Sequence, residues 1–320
     1  AWYNPSALAG AGRPAVMAGV TFAKIQSDFN SSVDPSLNSS MSGDWQAIPH
    51  FYYVQPISGD WTTMLSVNAP YGLITDWPGD WVGNQIAIYS ELRSIYITPS
   101  VAWRPIDALS VGVGLNVVDA SAELSRYDPD PPVEGTAVVN GNDTTYGGSV
   151  SAHYQPLDDW SLGGRYQSHV KLDITGSSTI PAGVYPASAA LELPSSVNIG
   201  IANTSFNNLS LGFDVIWTEW STYETLTVVT PTGADGVPKQ WEDVISIRIG
   251  GEYALNESWS LRAGYVWDES PVPDTTRAPE LPGADRQMIM AGFGWTWSQQ
   301  TIDAAYSFLW AETVNMGTLY

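Results

Sequence analysis

Apolar and polar residues alternate over eight to ten positions in nine or more segments of this chain, and short polar turns separate many of them. The clearest segment runs from Leu109 to Val117, where every odd position is a branched aliphatic and every even one is small or polar. Period-2 alternation is the mark of a β-strand with one apolar and one polar face. The same phase recurs in Ile95/Ile97/Val101/Trp103, Leu209/Leu211/Phe213/Val215/Trp217, Ile245/Ile247/Ile249, Trp259/Leu261/Ala263/Tyr265 and Ile289/Ala291/Phe293/Trp295. Opposite them lie sets such as Ser94/Tyr96/Thr98/Ser100, Ser210/Gly212/Asp214 and Ser246/Arg248/Gly250. Strands of this length, apolar outside and polar inside, predict an all-β fold: a transmembrane antiparallel β-barrel.

The pattern places strands at 14–27, 46–57, 61–71, 92–105, 109–125, 145–156, 160–173, 191–203, 208–226, 241–254, 259–268, 285–297 and 301–313. Short turns such as Ser58-Gly59-Asp60, Leu157-Asp158-Asp159 and Asn256-Glu257-Ser258 alternate with long loops near 28–45, 72–91, 126–144, 174–190, 227–240 and 269–284. Short turns on one side and long loops on the other characterise outer-membrane barrels. Trp61, Trp160 and Trp259 each follow a short turn and Trp103 precedes one, which suits an aromatic girdle at the headgroup level. A soluble β-sandwich also alternates, but its strands are usually about 5–6 residues long and its loops are not one-sided.

Composition narrows the picture. No apolar run approaches the roughly 20 residues of a membrane-spanning helix, whereas a barrel strand needs about 9–11. The formal charge of −21 argues against a nucleic-acid partner, which calls for a basic stripe. Much of it falls in loops (Asp128, Asp130, Glu134, Asp143, Glu269, Asp274, Glu280, Asp285) and reads as a solvated rim. With no cysteine in 320 residues, disulfides, thiol catalysis and thiolate metal sites are excluded. No signal peptide is visible, as expected of a mature or truncated chain. Single-chain bacterial barrels close with an even strand number, so the thirteen strands read here imply that the last strand is lacking.

Several phrases carry a resemblance. Asn4-Pro5-Ser6-Ala7-Leu8 precedes the first strand, Trp81-Val82-Gly83 leads through Ser90-Glu91-Leu92 to Ile97-Thr98-Pro99-Ser100, and Trp217-Thr218-Glu219-Trp220-Ser221 follows. Trp241-Glu242-Asp243-Val244 leads to Gly250-Gly251-Glu252-Tyr253, and Ser270-Pro271-Val272-Pro273-Asp274-Thr275-Thr276-Arg277 to Leu281-Pro282-Gly283-Ala284-Asp285-Arg286. In this order, across nearly the whole chain, they resemble the FadL family of outer-membrane long-chain fatty acid and hydrocarbon transporters, toluene-uptake members included. The resemblance implies a fourteen-stranded barrel with an N-terminal hatch. Residues 1–12 would then be the C-terminal remnant of that hatch and 13–320 the barrel, both ends looking cut.

The resemblance further implies passive uptake of a hydrophobic small molecule, long-chain fatty acid or aromatic or aliphatic hydrocarbon. The solute binds in the lumen and leaves sideways through a kinked third strand. The kink maps to Asn68, Pro70, Tyr71 and Gly72; proline lacks a ladder N–H and glycine permits a bend. By itself the same stretch also reads as a strand end. The hatch gate maps to Asn4, Pro5 and Ser6, where Ser replaces the family's Ala and can add a hydrogen bond. Arg165, His169 and Lys171 on strand seven, Arg248 and Arg262 are placed on the lumen face. Such cations can bind a carboxylate head or pair with Asp214 or Glu252. Arg126 aligns with a ligand-contacting position of the family. A second cationic position falls at Glu242, with Lys239 close by, so a neutral solute is expected to be preferred. Trp77, Trp81 and Tyr89, with Tyr71, form either a loop docking groove or loop packing.

Other classes fare worse. A hydrolase needs a nucleophile with a base in reach; only His50, His153 and His169 are available, and no Gly-x-Ser-x-Gly elbow occurs. A general porin would conduct ions freely. Asp128-Pro129-Asp130-Pro131 lacks the spacing of a calcium loop. The expectation is therefore a non-enzymatic barrel without cofactor or metal, monomeric as in the family, contacting outer-membrane lipid and lipopolysaccharide.

Overall fold

In a computed structural model, which describes residues 2–129, 134–231 and 233–316, an antiparallel wall surrounds the chain's own N-terminal segment. The wall begins with β1 (Ala15–Lys24), and its first loop holds a minimal ladder of β2 (Asp28–Phe29) and β3 (Ser39–Ser40). There follow β4 (Trp45–Pro56), β5 (Trp61–Asn68), β6 (Gly72–Asp76), β7 (Tyr89–Ile106), β8 (Leu109–Asp128), β9 (Gly135–Leu157), β10 (Trp160–Gln167) and β11 (Val170–Ile180). The second half comprises β12 (Gly183–Leu193), β13 (Ser196–Phe206), β14 (Leu209–Thr218), β15 (Thr225–Thr230), β16 (Gly233–Pro238), β17 (Val244–Ala254), β18 (Trp259–Asp268), β19 (Arg286–Trp297) and β20 (Gln300–Ala311). Several crossings are interrupted, β5/β6 and β10/β11 among them. With each interrupted pair joined, the thirteen crossings read from the alternation are present among the described residues.

The two faces divide as the alternation requires. Ile97, Val113, Leu211, Ile249 and Phe293 are exposed on the outside, while Tyr96, Thr98, Asn116 and Ser149 are buried within. An exposed apolar outer face is stable only against lipid. Trp61 stacks on Trp103 at 5.7 Å and Trp259 on Trp295 at 5.9 Å, all four exposed beside the short turns. Those turns are tight: Asn208 and Ser298 adopt left-handed φ of 61° and 53°, a region that Asn tolerates better than most residues.

Two segments read as loops form strand hairpins of their own, and most of the described part of 126–144, also read as a loop, is taken up by the ends of β8 and β9. Residues 174–190 belong mostly to the β11–β12 hairpin, paired from Val170↔Leu193 to Ile180↔Gly183. Residues 227–240 are largely the β15–β16 hairpin. Stretches such as Thr175-Gly176-Ser177-Ser178-Thr179 are polar on both faces, so no binary pattern announces them.

A third departure changes a side-chain direction. β9 pairs with β10 as far as Gln167↔Ser149 and resumes with β11 at Thr175↔Asn142. That is eight steps on one strand against seven on the other, a bulge of one residue at Ser168–His169. Ser168 fills the break: its amide donates to the Gly148 carbonyl and its hydroxyl accepts from the Gly148 amide at 3.0 Å. Inward positions are odd before the bulge (Arg165, Gln167) and even after it (Val170, Leu172, Ile174). Lys171 therefore points out of the lumen, contrary to the reading that grouped it with Arg165.

Candidate functional site

The N-terminal segment sits inside the wall. A 3-10 turn, Pro5–Leu8, packs against β7, β8 and β9. Asn4 Nδ2 donates to the Ala152 carbonyl at 3.0 Å, and the Ser6 amide donates to Ser151 Oγ at 3.2 Å. Glycines of the wall admit this approach: a Cβ on Gly163 would lie 2.7 Å from Asn4 Nδ2, and one on Gly112 would lie 3.2 Å from the Ser6 amide nitrogen. The hydroxyl that Ser6 introduces donates to Asn4 Oδ1 at 2.5 Å, the extra hydrogen bond expected of Ser at this position.

Above the segment lies a cavity of about 1960 Å³. Leu92, Ala122, Ile174, Leu191 and Leu193 line it, and they join the apolar cluster that contains Trp2 and Tyr96 beneath it. Higher up, Trp220, Tyr223 and Trp241 form its aromatic wall. Edges of both β1 and β20 also border it; β1 pairs with β4 and β20 with β19, and no register joins β1 to β20 among the described residues.

The third crossing is broken where proline and glycine require it. β5 ends at Asn68, paired with Tyr96, and β6 resumes at Gly72, paired with Arg93. Three residues thus face two across the break, and the Tyr71 carbonyl accepts from both the Ser94 amide and hydroxyl, at 3.2 and 2.6 Å. The other side of the break matters more. β4 pairs with β5 only from Phe51 to Pro56, so its Trp45–His50 stretch has β1 on one edge and no ladder to β6 on the other. Trp45, His50, Pro70, Tyr71, Leu73 and Thr75 all border the cavity. The lumen therefore reaches a notch in the wall between β4 and β6. Above it, the Ser42 amide and hydroxyl bond Asp76 at 3.0 and 2.5 Å.

The five candidate ligand cations separate by partner. Arg126 is exposed at the rim, 3.5 Å from Asp235, and does not border the cavity. Lys171 faces outward. Arg262 is clamped between Glu252 and Asp303, both at 2.5 Å, which ties β18 to β17 and β20. Arg248 stands opposite Asp214 in register and lies 5.7 Å from the Tyr3 ring. Arg165 differs: it is 9% exposed, its Nη2 donates to Gln167 Oε1 at 2.7 Å, and no carboxylate pairs with it among the described residues.

The charge argument from Glu242 loses its geometric basis. Glu242 is an exposed loop residue outside the cavity lining, its amide bonded to the Pro271 carbonyl. Lys239 is buried and neutralised by Glu280 at 2.5 Å. Trp77 and Trp81 are likewise not an open docking groove. They stack at 4.5 Å, both buried, with their indole N–H groups donating to the Pro279 and Ala87 carbonyls. Tyr89 and Tyr71 of that group are partly exposed. Asp130 and Pro131 of the acidic loop lie outside the described residues.

A feature missed in the sequence is a file of ring contacts crossing the site. Trp241 meets Trp220 at 4.9 Å, Trp220 meets Tyr71 at 5.9 Å, Tyr71 meets Tyr96 at 5.9 Å, and Tyr96 meets Trp2 at 5.5 Å. It runs from the loops through the broken strand to the N-terminal segment. Arg277, also passed over, fixes the loop above: it ion-pairs with Asp274, and its Nε and Nη2 donate to the Gly283 and Val272 carbonyls at 2.9 and 3.0 Å. Its place in the phrase Asp274-Thr275-Thr276-Arg277 was the available signal. The hydrolase reading finds no support, since no hydroxyl hydrogen-bonds a histidine ring among the described residues; His169 instead faces Glu192 at 3.7 Å.

Residues 1–318 match the family model described as outer membrane protein transport protein (OMPP1/FadL/TodX). The chain is 24% identical to a long-chain fatty acid transport protein of Salmonella typhi, covering 98% of this chain and 81% of that one. It is 22% identical to outer membrane protein P1 of Haemophilus influenzae, over 84% and 67%. Among solved structures, a FadL homologue of Pseudomonas aeruginosa superposes with a TM-score of 0.88 at 22% identity, covering 97% of this chain and 84% of that one. The toluene transporter TodX of P. putida superposes at 0.74 and 17%, over 95% and 85%.

Proposed function

Because the chain belongs to the outer membrane protein transport protein family (OMPP1/FadL/TodX), an outer-membrane family of transport channels rather than enzymes, we propose that it carries hydrophobic molecules passively across that membrane. The cargo class is that named for its relatives and structural neighbours, long-chain fatty acids or toluene. Solute enters among the loops, occupies the apolar cavity, and leaves sideways through the notch between β4 and β6. The observation that carries this reading is the unpaired Trp45–His50 edge of β4 beside the broken third crossing.

Unpaired backbone groups facing hydrocarbon cost several kcal/mol each, so the edge left open between β4 and β6, beside a crossing broken by Pro70 and Gly72, supports a route there. The segment Trp2–Ala11 occupies the lumen below, acting as a plug whose gate is Asn4-Pro5-Ser6. A lumen closed in this way opposes the free ion conductance of a general porin.

A photoactivatable acyl chain tests the exit. In outer-membrane vesicles, cross-links should concentrate in Trp45–His50 and Gly72–Asp76. Cross-links confined to the short turns, such as Ser58–Asp60 and Leu157–Asp159, would show passage straight through the barrel.

A further inference from the structure

Two polar atoms of opposite kind are enclosed in the aromatic wall of the cavity. Trp241 Nε1, a donor, and Glu280 Oε2, an acceptor, are both screened from water and without a hydrogen-bond partner, although both residues border the cavity. A buried donor or acceptor left unmade carries the full cost of its desolvation. Two such atoms at a ligand cavity call for a guest that completes them. The other carboxylate oxygen is already served: Glu280 Oε1 accepts from the buried Lys239 ammonium at 2.5 Å. Oε2 is thus a charged acceptor within a pair that is neutral overall.

The two atoms share one patch of wall. Trp220 and Tyr223 each meet the Trp241 ring edge-on, with centroids 4.9 Å apart. Burial, and after it the Glu280 carboxylate, pushes the Tyr223 phenol up, which puts that carboxylate beside the ring that packs on Trp241. The backbone is bent to bring them there. Gln240 lies in the left-handed region at φ 50°, which is uncommon for any residue but glycine. The Lys239 and Gln240 amides both donate to the Glu224 carbonyl, at 2.7 and 3.0 Å. This turn carries Lys239 to Glu280 and sets Trp241 against the cavity. Backbone strain of this kind clusters at ligand sites, where the surroundings over-determine it.

We propose that Trp241 and Glu280 form a subsite for the hydroxyl of a phenol, whose oxygen accepts from Trp241 Nε1 and whose O–H donates to Glu280 Oε2. The proposal rests on the uptake reading above and deepens it, since it names a hydroxylated aromatic as cargo. One hydroxyl supplies both missing partners, being donor and acceptor at once, and its ring extends the edge-to-face cluster. The guest reaches the two atoms by parting the Tyr223–Trp241 contact, and a hydrogen bond to a charged acceptor outweighs a ring contact of that kind. A carboxylate head brings no donor and meets Glu280 as a like charge. The Glu280 carbonyl also accepts from Thr75 Oγ1 of β6 at 3.4 Å, so the subsite abuts one flank of the notch.

The test titrates p-cresol, 4-methylanisole and toluene into the full-length protein in nanodiscs. The three share a tolyl ring; the ether accepts but cannot donate, and toluene does neither. p-Cresol should bind at least about tenfold more tightly than its methyl ether, the scale of a hydrogen bond to a charged group. In Lys239→Met with Glu280→Leu, which removes the ion pair whole, that preference should fall to within about twofold. In Trp241→Phe, which keeps a ring and loses the donor, p-cresol should weaken at least about threefold relative to toluene. Each ratio is taken within one protein, so a general loss of affinity cancels, and β-sheet circular dichroism reports folding.

The comparison in the unaltered protein holds even where a variant fails to fold. No preference there for p-cresol over the ether overturns the proposal and assigns the two atoms to bound water. A preference that survives in the double variant overturns it too, as does a cresol-to-toluene ratio unchanged in Trp241→Phe. In each case binding of toluene or hexadecanoate leaves the uptake reading standing. Failure of p-cresol, toluene and hexadecanoate alike to bind would refute both.

Discussion

Deleting Ala69 and replacing Pro70 with Val should close the notch. At present Ala69, Pro70 and Tyr71 face only Ile95 and Ser94 of β7. Removing one residue makes the count two against two, pairing position 70 with Ile95 and Tyr71 with Ser94. Side-chain direction is also reconciled: inward residues are even in β5 (Thr62, Met64, Ser66, Asn68) and odd beyond the break (Leu73, Thr75), and the deletion absorbs that change of phase. Valine restores the amide that proline lacks.

With the crossing straightened, β6 can pair with the free edge of β4. The edge from Trp45 to His50 spans about 20 Å at roughly 3.4 Å per residue. About half its residues turn their amide and carbonyl toward the notch. About four new ladder bonds at roughly 0.5–1.5 kcal/mol each add about 2–6 kcal/mol. The variant should unfold at higher temperature and show slower amide exchange in β6. Cavity binding of a labelled hydrophobe should stay within about twofold, because the floor and the Trp220/Tyr223/Trp241 wall are untouched. Uptake by cells lacking other transporters of this family should fall by at least about tenfold, equivalent to roughly 1.4 kcal/mol on the exit barrier. Full uptake through a ladder shown to be closed would refute the lateral route.

Three further outcomes are expected. Lys239→Met leaves the Glu280 carboxylate buried without its cation, which should cost about 3–5 kcal/mol and expose the 270–284 loop to protease; adding Glu280→Leu should recover most of the loss, and no change in either variant would refute the pairing. Burial, with Glu280 adding to it, pushes the Tyr223 phenol up. The folded state then keeps a proton that the unfolded chain releases above about pH 10, so stability falls as pH rises past that point; a denaturation series should show a shallower fall in Tyr223→Phe. Arg126→Ala and Lys171→Gln, altering a rim pair and an outward residue, should each leave binding of a long-chain fatty acid within about twofold, and a large loss from either would return that side chain to the site.

The wall was legible because the bilayer writes a binary pattern on it. From Leu109 to Val117 one residue in two must meet lipid, and the phase follows. That constraint ends beyond the membrane-spanning stretches, where segments such as Thr175–Thr179 of the β11–β12 hairpin are polar on both faces and lose the pattern. A one-residue bulge leaves no trace in composition, so Lys171 was assigned to the face of Arg165 when Ser168–His169 had already reversed it. The site was legible in part. Pro70 and Gly72 announced the broken crossing through their own backbone chemistry. Arg165 could be placed on the lumen face, but its lack of an acid depends on which distant chains come near. Trp2 lies outside any repeating pattern, and only the folded chain shows it lying on that guanidinium.

The file of rings from Trp241 to Trp2 bears on the rate at which cargo travels. Its centroid spacings, 4.9 to 5.9 Å, are comparable to the width of a single benzene ring with its van der Waals shell. On the proposed route a planar guest can pass along the members of the file that border the cavity, Trp241, Trp220 and Tyr71, engaging one before contact with the last is lost. Wells of similar depth set this close together smooth the free-energy profile, so no single interior hop dominates the transit time. Under the proposed lateral route, control of flux passes to the two ends, capture among the loops and departure through the notch, and throughput is expected to saturate with external concentration as a queue does when its exit is slower than its aisle.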